Sequence, residues 1–78
     1  MATMQKWDTL TVEMGFFGMN SDHPAPRFVN GVEIKDWKKV PLHAFITQLG
    51  ADGWEMSGTI NISGTSSGNF LFFKRPRP

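Results

Sequence analysis

The segment from Pro41 to Met56 constrains the fold more than any other part of the chain. Its apolar side chains recur at the i, i+3, i+4, i+7 spacing of a helix with one apolar face; they are Leu42, Phe45, Ile46 and Leu49. Pro41 suits the first turn, where its missing amide has no consequence, and Gly50 suits the left-handed position that ends a helix. Trp54 then begins a strand whose alternate residues share one face up to residue 62. Because so short a helix is unstable alone, the segment predicts a helix packed on a sheet.

Other patterns supply the remaining strands of that sheet. Alternation from Trp7 to Phe17 predicts a half-buried strand, and two glycines predict a bulge or bend near its end. Residues 18–27 contain two prolines and are predicted to form a loop, whereas Asn30-Gly31 between short apolar runs predicts a hairpin. Residues 69–74 form the closing strand. The predicted fold class is α+β: a small twisted antiparallel sheet of three to four strands plus a short hairpin, with one α-helix on one face.

Length and composition limit the chain to a simple organisation. Its 78 residues predict a single domain, 1–78, with residues 18–40 as a loop and hairpin insertion within it. The chain has no cysteine and a formal net charge of +1, so we expect neither disulfides nor strong attraction to nucleic acid. It has no apolar run of membrane-spanning length and no signal-peptide pattern near its start. We therefore expect a soluble cytoplasmic domain without a membrane partner.

The closing strand predicts self-association. Phe70 and Phe72 point to one face of the sheet, while Leu71 and Phe73 point to the other. A single helix covers one face only, so the other must be covered by residues 18–40 or by another subunit. The chain has seven phenylalanines and three tryptophans, and an uncovered sheet face rich in them would expose more apolar surface than monomers normally do. We expect a homo-oligomer with these contact residues: Phe28, Phe70, Leu71, Phe72 and Phe73.

Three segments resemble one small family. They are Trp7-Asp8-Thr9-Leu10-Thr11-Val12, Leu49-Gly50-Ala51-Asp52-Gly53-Trp54-Glu55-Met56, and Phe70-Leu71-Phe72-Phe73-Lys74-Arg75-Pro76. Together they resemble the domain-of-unknown-function family 4177 of bacteria and phages, most clearly in the central L-G-x-D-G-W-E-M motif. The resemblance implies a helix on an antiparallel sheet and no catalytic residues. Residues 18–40 are longer than the connector usual in that family, so its partners and oligomeric state do not transfer.

Trp37 is the most suggestive residue for binding. It lies between Lys35 and the Lys38-Lys39 pair, and tryptophan beside cations suits stacking on an aromatic ligand. Arg27 offers two parallel donors to a phosphate or carboxylate, and the segment from Gly64 to Gly68 is rich in amides and hydroxyls. The predicted ligand-binding residues are Arg27, Trp37, Lys39, Thr65, Ser66 and Ser67. Three alternatives involve no ligand: Trp37 packs within the fold or at an oligomer contact, Arg27 is a solvated loop residue, and the serine-rich segment is a mobile hairpin connection.

Catalysis is not expected. The two histidines, His23 and His43, have no partner at ligand spacing, which predicts no metal site, and we expect no cofactor. The carboxylates fall on polar faces or turns rather than converging on a cleft. The sequence favours a non-catalytic homo-oligomeric module, of phage or bacterial origin, that captures a small anionic, nucleotide-like ligand between subunits. Alternatives are a structural or protein-interaction subunit and, less favoured by the charge, binding of single-stranded nucleic acid.

Overall fold

The computed structural model of the protein describes residues 4–20, 23–62 and 68–77. Its elements, in chain order, are β1 (Trp7–Phe17), β2 (His23–Val29), β3 (Val32–Glu33), a 3-10 turn (Trp37–Lys39), α1 (Leu42–Ala51), β4 (Glu55–Ile62) and β5 (Gly68–Pro76). The strands form one antiparallel sheet in the order β3-β2-β1-β5-β4. The predicted α+β fold with one helix on an antiparallel sheet is therefore confirmed.

The core lies between α1 and one face of the sheet. In the register of β1 with β5, Leu10 is opposite Phe73 and Val12 is opposite Leu71, so these four side chains share a face. Val12 and Phe73 are buried together with Leu49 of α1. Phe45 and Ile46 of the helix, and Trp54, pack around this cluster. This is the helix face that the spacing of apolar residues predicted.

The end of α1 differs in one detail from the sequence prediction. Gly50 lies inside the helix, so its predicted role as the left-handed end residue is wrong. Gly53 takes the positive φ instead, at 90°, and the Trp54 amide donates to the Leu49 carbonyl at 2.9 Å. Within the described residues, no helix is both long enough and apolar enough to cross a membrane.

Residues 23–27 form strand rather than the predicted loop. They belong to β2 and pair with β1 beyond Glu13. The register passes from Glu13↔Phe28 to Met14↔Pro26, which leaves Arg27 as an extra residue in a β-bulge. The Asn30-Gly31 hairpin is confirmed, with φ angles of 50° and 84°.

A second bulge re-phases β4. Met56 is opposite Phe73 on the helix side, whereas Gly58 is opposite Phe72, which leaves Ser57 as the extra residue. The predicted single face running from Trp54 through residue 62 is therefore interrupted at Ser57. Beyond that point Ile60 is opposite Phe70, on the side of the sheet away from α1.

Candidate binding site

The side of the sheet opposite α1 carries a row of large apolar residues. Alternation and register place the following residues on this side, which we call the helix-free face: Thr11, Glu13, Phe28, Ile60, Phe70 and Phe72. The three phenylalanines are half-buried and Ile60 is 50% exposed. The sequence predicted that residues 18–40 or another subunit would cover this face, and the structure shows how far the chain itself does so.

Trp37 covers one end of the helix-free face. Gly15, two residues beyond Glu13 in β1, lies directly beneath its ring: a Cβ on Gly15 would be 2.6 Å from Trp37 Cζ3. Ala25, opposite Gly15 in β2, is 1% exposed. The ring of Phe17 meets Trp37 edge-on, with centroids 5.8 Å apart. Trp37 is thus a packing residue along part of its ring, as the structural alternative proposed.

Arg27 is held beside Trp37 by three contacts. Its Nε donates to Glu33 Oε2 at 2.9 Å, and its guanidinium carbon lies 5.0 Å from the Trp37 ring centroid and 5.2 Å from that of Phe28. The β2 bulge accounts for this geometry, because the two bulged residues, Arg27 and Phe28, direct their side chains to the same side. The charge of Arg27 is therefore already paired with a carboxylate.

An open pocket adjoins Trp37 on the turn that carries it. The pocket, of about 320 Å³, is lined by Asp36, Trp37, Lys38 and Lys39, and we call it the Trp37 pocket. Asp36 enters the turn with a positive φ of 56°. Lys38 Nζ lies 5.8 Å from the Trp37 ring centroid. One tryptophan, two lysines and one aspartate thus line a single opening.

The structure brings together part of the predicted ligand-binding set. Trp37 and Lys39 line the pocket, and Arg27 contacts the Trp37 ring from outside its lining. The remaining three predicted residues, Thr65, Ser66 and Ser67, lie outside the described residues. Sequence reasoning did not assign Asp36 or Lys38 to the site, although both adjoin Trp37 in the chain.

The predicted oligomer-contact residues divide between the two sides of the sheet. Phe28, Phe70 and Phe72 lie on the helix-free face. Phe73 is 2% exposed in the core, which leaves it little surface for a second chain, and the partly buried Leu71 packs against that core. The difference follows from strand alternation, because consecutive residues of β5 cannot all point to one side.

The basic residues near the end of β5 are engaged within the chain. Lys74 Nζ lies 4.4 Å from the Trp7 ring centroid, and the Arg75 guanidinium lies 4.2 Å from that of Trp54. Arg77 Nε donates to Asp8 Oδ1 at 2.8 Å. These contacts join the two ends of the described chain and give the basic segment a structural role.

Within the described residues, no group of three or more histidine, aspartate or glutamate side chains is arranged to hold a metal ion. Compared with protein-family models, curated protein sequences and solved structures, the chain matches none of them. The likeness to family 4177 stays a hypothesis based on its three motifs. The function is therefore argued from the geometry of the helix-free face and the Trp37 pocket.

Proposed function

We propose that the protein is a non-catalytic, homo-oligomeric binding module that captures a small anionic, nucleotide-like ligand at the Trp37 pocket. The observation that carries this proposal is that Trp37, Lys38 and Lys39 line one open cavity of about 320 Å³. That volume lies at the lower end of the range for small-molecule sites, about 300–1,000 Å³. It favours a ligand of roughly mononucleotide size.

The charges around the pocket favour an anion. Lys38 and Lys39 outnumber the single carboxylate of Asp36, so the lining carries a net positive charge. Both lysines are exposed and can turn their ammonium groups towards a phosphate. Because Arg27 already stands over the Trp37 ring, we place the anionic group beside the lysines and the apolar part of the ligand against the part of Trp37 that lines the pocket.

The helix-free face supports the oligomeric part of the proposal. Phe28, Phe70 and Phe72 remain half-buried in the single chain, and a second subunit would remove their exposed area from water. Arg27 contacts both Phe28 and Trp37, so this face adjoins the residues around the pocket. A subunit on the face would therefore lie near the mouth of the pocket and could close it over a ligand.

Isothermal titration calorimetry tests the ligand with three matched single variants. The wild-type protein is titrated with linear and cyclic mononucleotides and dinucleotides, with inorganic phosphate as the minimal anion. We expect Lys39→Gln to weaken binding of the best ligand about tenfold, because it removes a charge that contacts the phosphate. Asp36→Asn should strengthen binding, because it removes the only carboxylate among the described residues that line the pocket, and asparagine tolerates a positive φ. Lys6→Gln, the same charge change before β1, should leave binding unchanged.

A protein-interaction subunit is the second candidate, and the apolar helix-free face is the observation that favours it. In that case Trp37→Ala would change the assembly state or the proteins recovered with the chain, while no nucleotide would bind at millimolar concentration. Absence of heat across the whole panel would refute ligand capture. Equal weakening by Lys39→Gln and Lys6→Gln would instead show non-specific attraction, and would refute the pocket as the site.

A further inference from the structure

The two edges of the sheet differ in how they are protected. At one edge β3 has two residues only and is followed directly by Ile34, whose amide donates to the Arg27 carbonyl at 2.7 Å. At the other edge β4 has eight residues, and its outer side has no strand partner in the described part of the chain. An unpaired edge presents backbone donors and acceptors that pair readily with another strand.

The sequence of β4 offers little protection against such pairing. It contains no lysine, arginine or proline, the residues that commonly block an edge, and its one charged residue is Glu55 at its start. The bulge at Ser57 lies near the same end, where the Ser57 hydroxyl donates to the Phe72 carbonyl at 3.2 Å. The register with β5 is regular from Gly58 to Ile62, so these five residues form the available edge.

We propose that residues 58–62 pair antiparallel with the same residues of a second copy of the chain, about a twofold axis at Ile60. Ile60 is the midpoint of the regular stretch, so this register pairs every edge residue: Ile60 with Ile60, Thr59 with Asn61, and Gly58 with Ile62. The two sheets become one sheet of ten strands. Each Ile60, 50% exposed in the single chain, then lies about 4.5–5.5 Å from its counterpart, measured between Cβ atoms.

A second copy suits this edge better than an unrelated strand for two reasons. Antiparallel self-pairing sets the two Glu55 side chains roughly 30 Å apart along the joined strands, so the only charge in β4 meets no like charge. The pairing also extends the helix-free face across the axis, because Ile60 is the neighbour of Phe70 on that face. Two such rows then form one continuous apolar surface.

This inference deepens the homo-oligomeric part of the proposed function by naming one contact, and it is independent of ligand binding. Five paired residues bury less than the roughly 1,200 Å² of a standard interface, which indicates a weak dimer with a micromolar dissociation constant. The calorimetric test of the pocket and the assembly test of the edge can fail separately. A monomer that binds nucleotide would refute the edge contact and the homo-oligomeric part of the proposed function but leave the pocket standing, whereas a dimer that binds none would refute the pocket alone.

A charge-swap experiment tests both the edge and its register. Ile60→Lys and Ile60→Glu each place like charges directly opposite one another in the homodimer, so each variant alone should raise the dimer dissociation constant at least about tenfold. An equimolar mixture of the two should restore dimers, now containing one copy of each. Thr47→Lys and Thr47→Glu, at an exposed position of α1, are the matched controls and should dimerise as the wild type does. Sedimentation velocity over a concentration series, with native mass spectrometry of the mixture, measures these outcomes.

Hydrogen exchange separates edge pairing from stacking through the helix-free face. Outward amides of residues 58–62 should exchange slowly at high wild-type concentration and rapidly on dilution. A wild type that stays monomeric to several hundred micromolar would overturn the proposal. So would an Ile60→Lys variant that dimerises normally, a mixture without heterodimers, or β4 exchange that does not depend on concentration.

Discussion

The contact between Gly15 and Trp37 gives the sharpest test of how the helix-free face is closed at one end. An alanine Cβ at position 15 would lie 2.6 Å from Trp37 Cζ3, 2.7 Å from Cη2 and 3.0 Å from Arg27 Cδ. Ordinary carbon–carbon contacts are about 3.5–4.0 Å, so the indole would have to move by about 1 Å. It is held by Phe17 on its edge and by Arg27, which is itself tied to Glu33.

The expected loss of stability follows from two opposing effects. Overpacking by one methyl group destabilises by about 1–3 kcal/mol. Replacing glycine restricts the unfolded chain and stabilises by about 0.4–1 kcal/mol. Gly15→Ala should therefore lower the free energy of unfolding by about 1–2 kcal/mol. For a chain of this size that corresponds to a fall in Tm of roughly 5–15 °C.

A double-mutant cycle assigns the effect to Trp37. Trp37→Leu keeps an apolar side chain but removes the six-membered ring that the new methyl group would strike, so in that background Gly15→Ala should be neutral or slightly stabilising. Urea unfolding followed by far-UV circular dichroism, at one fixed protein concentration, measures all four proteins. If Gly15→Ala destabilises the Trp37→Leu background as much as the wild type, the contact is not the cause and the placement of Trp37 is wrong.

Four further substitutions test the end of α1 and the Asn30-Gly31 hairpin. Gly50→Ala should stabilise by about 0.5–1 kcal/mol, because Gly50 is helical, exposed and has open space around its Cβ position. Gly53→Ala should destabilise by about 1–2 kcal/mol because of its φ of 90°. The melting temperatures of the two variants should therefore shift in opposite directions, and equal shifts would contradict the assigned helix end. Asn30→Ala should cost about 1–2 kcal/mol in urea unfolding, because the Thr11 amide loses its bond to Asn30 Oδ1 at 2.9 Å and alanine tolerates a positive φ poorly. Asn30→Gly loses the same hydrogen bond but tolerates the positive φ, so it separates the loss of the bond from the backbone strain. An Asn30→Ala protein as stable as the wild type would refute both contributions.

Short-range patterns in the sequence predicted three elements of the structure. β1 and α1 follow from alternation and from the i, i+3, i+4, i+7 spacing, and the hairpin follows from the positive φ that Asn30 and Gly31 adopt. Each of these signals depends on residues close together in the chain. The fold class followed because a short apolar helix and alternating strands have few ways to bury their faces together.

The sequence did not predict the site's geometry, because that geometry depends on contacts between distant segments. Gly15 predicted a bulge or bend in β1, whereas in the structure glycine is needed there because the Trp37 ring, from another segment of the chain, lies directly over it. Arg27 looked like a free loop cation, whereas the β2 bulge places it over that ring and beside Glu33. A bulge inserts one residue without a composition signal of its own, so alternation alone cannot reveal it.

The same bulge explains how two prolines fit into β2. The Asn30 amide donates to the Thr11 carbonyl at 2.8 Å, so Asn30 directs its backbone N–H and C=O groups towards β1. In a regular strand every second residue counted back from Asn30 would do the same. Without the bulge Pro26 would be one of them, and it has no amide to donate. Because Arg27 is the extra residue, the alternation of hydrogen-bonding direction shifts by one residue. The backbone nitrogens of both prolines then point away from β1, where no hydrogen bond to β1 is required of them.

That shifted alternation predicts which amides of β2 are protected. In the bulged register Ala25 faces its partner Gly15, while position 24 faces outward, where β3 does not reach. Pro24→Ala introduces an amide at position 24 that should exchange with deuterated water at nearly the rate of an open chain, whereas the amide of Ala25 should stay protected. Because Pro24 is exposed and withholds no bond from the sheet, its replacement should change the free energy of unfolding by about 0.5–1 kcal/mol at most, through the flexibility of the unfolded chain. Two-dimensional NMR exchange on the variant measures both amides in one sample, and strong protection at position 24 would mean that the prolines face β1 and that the bulge is not at Arg27.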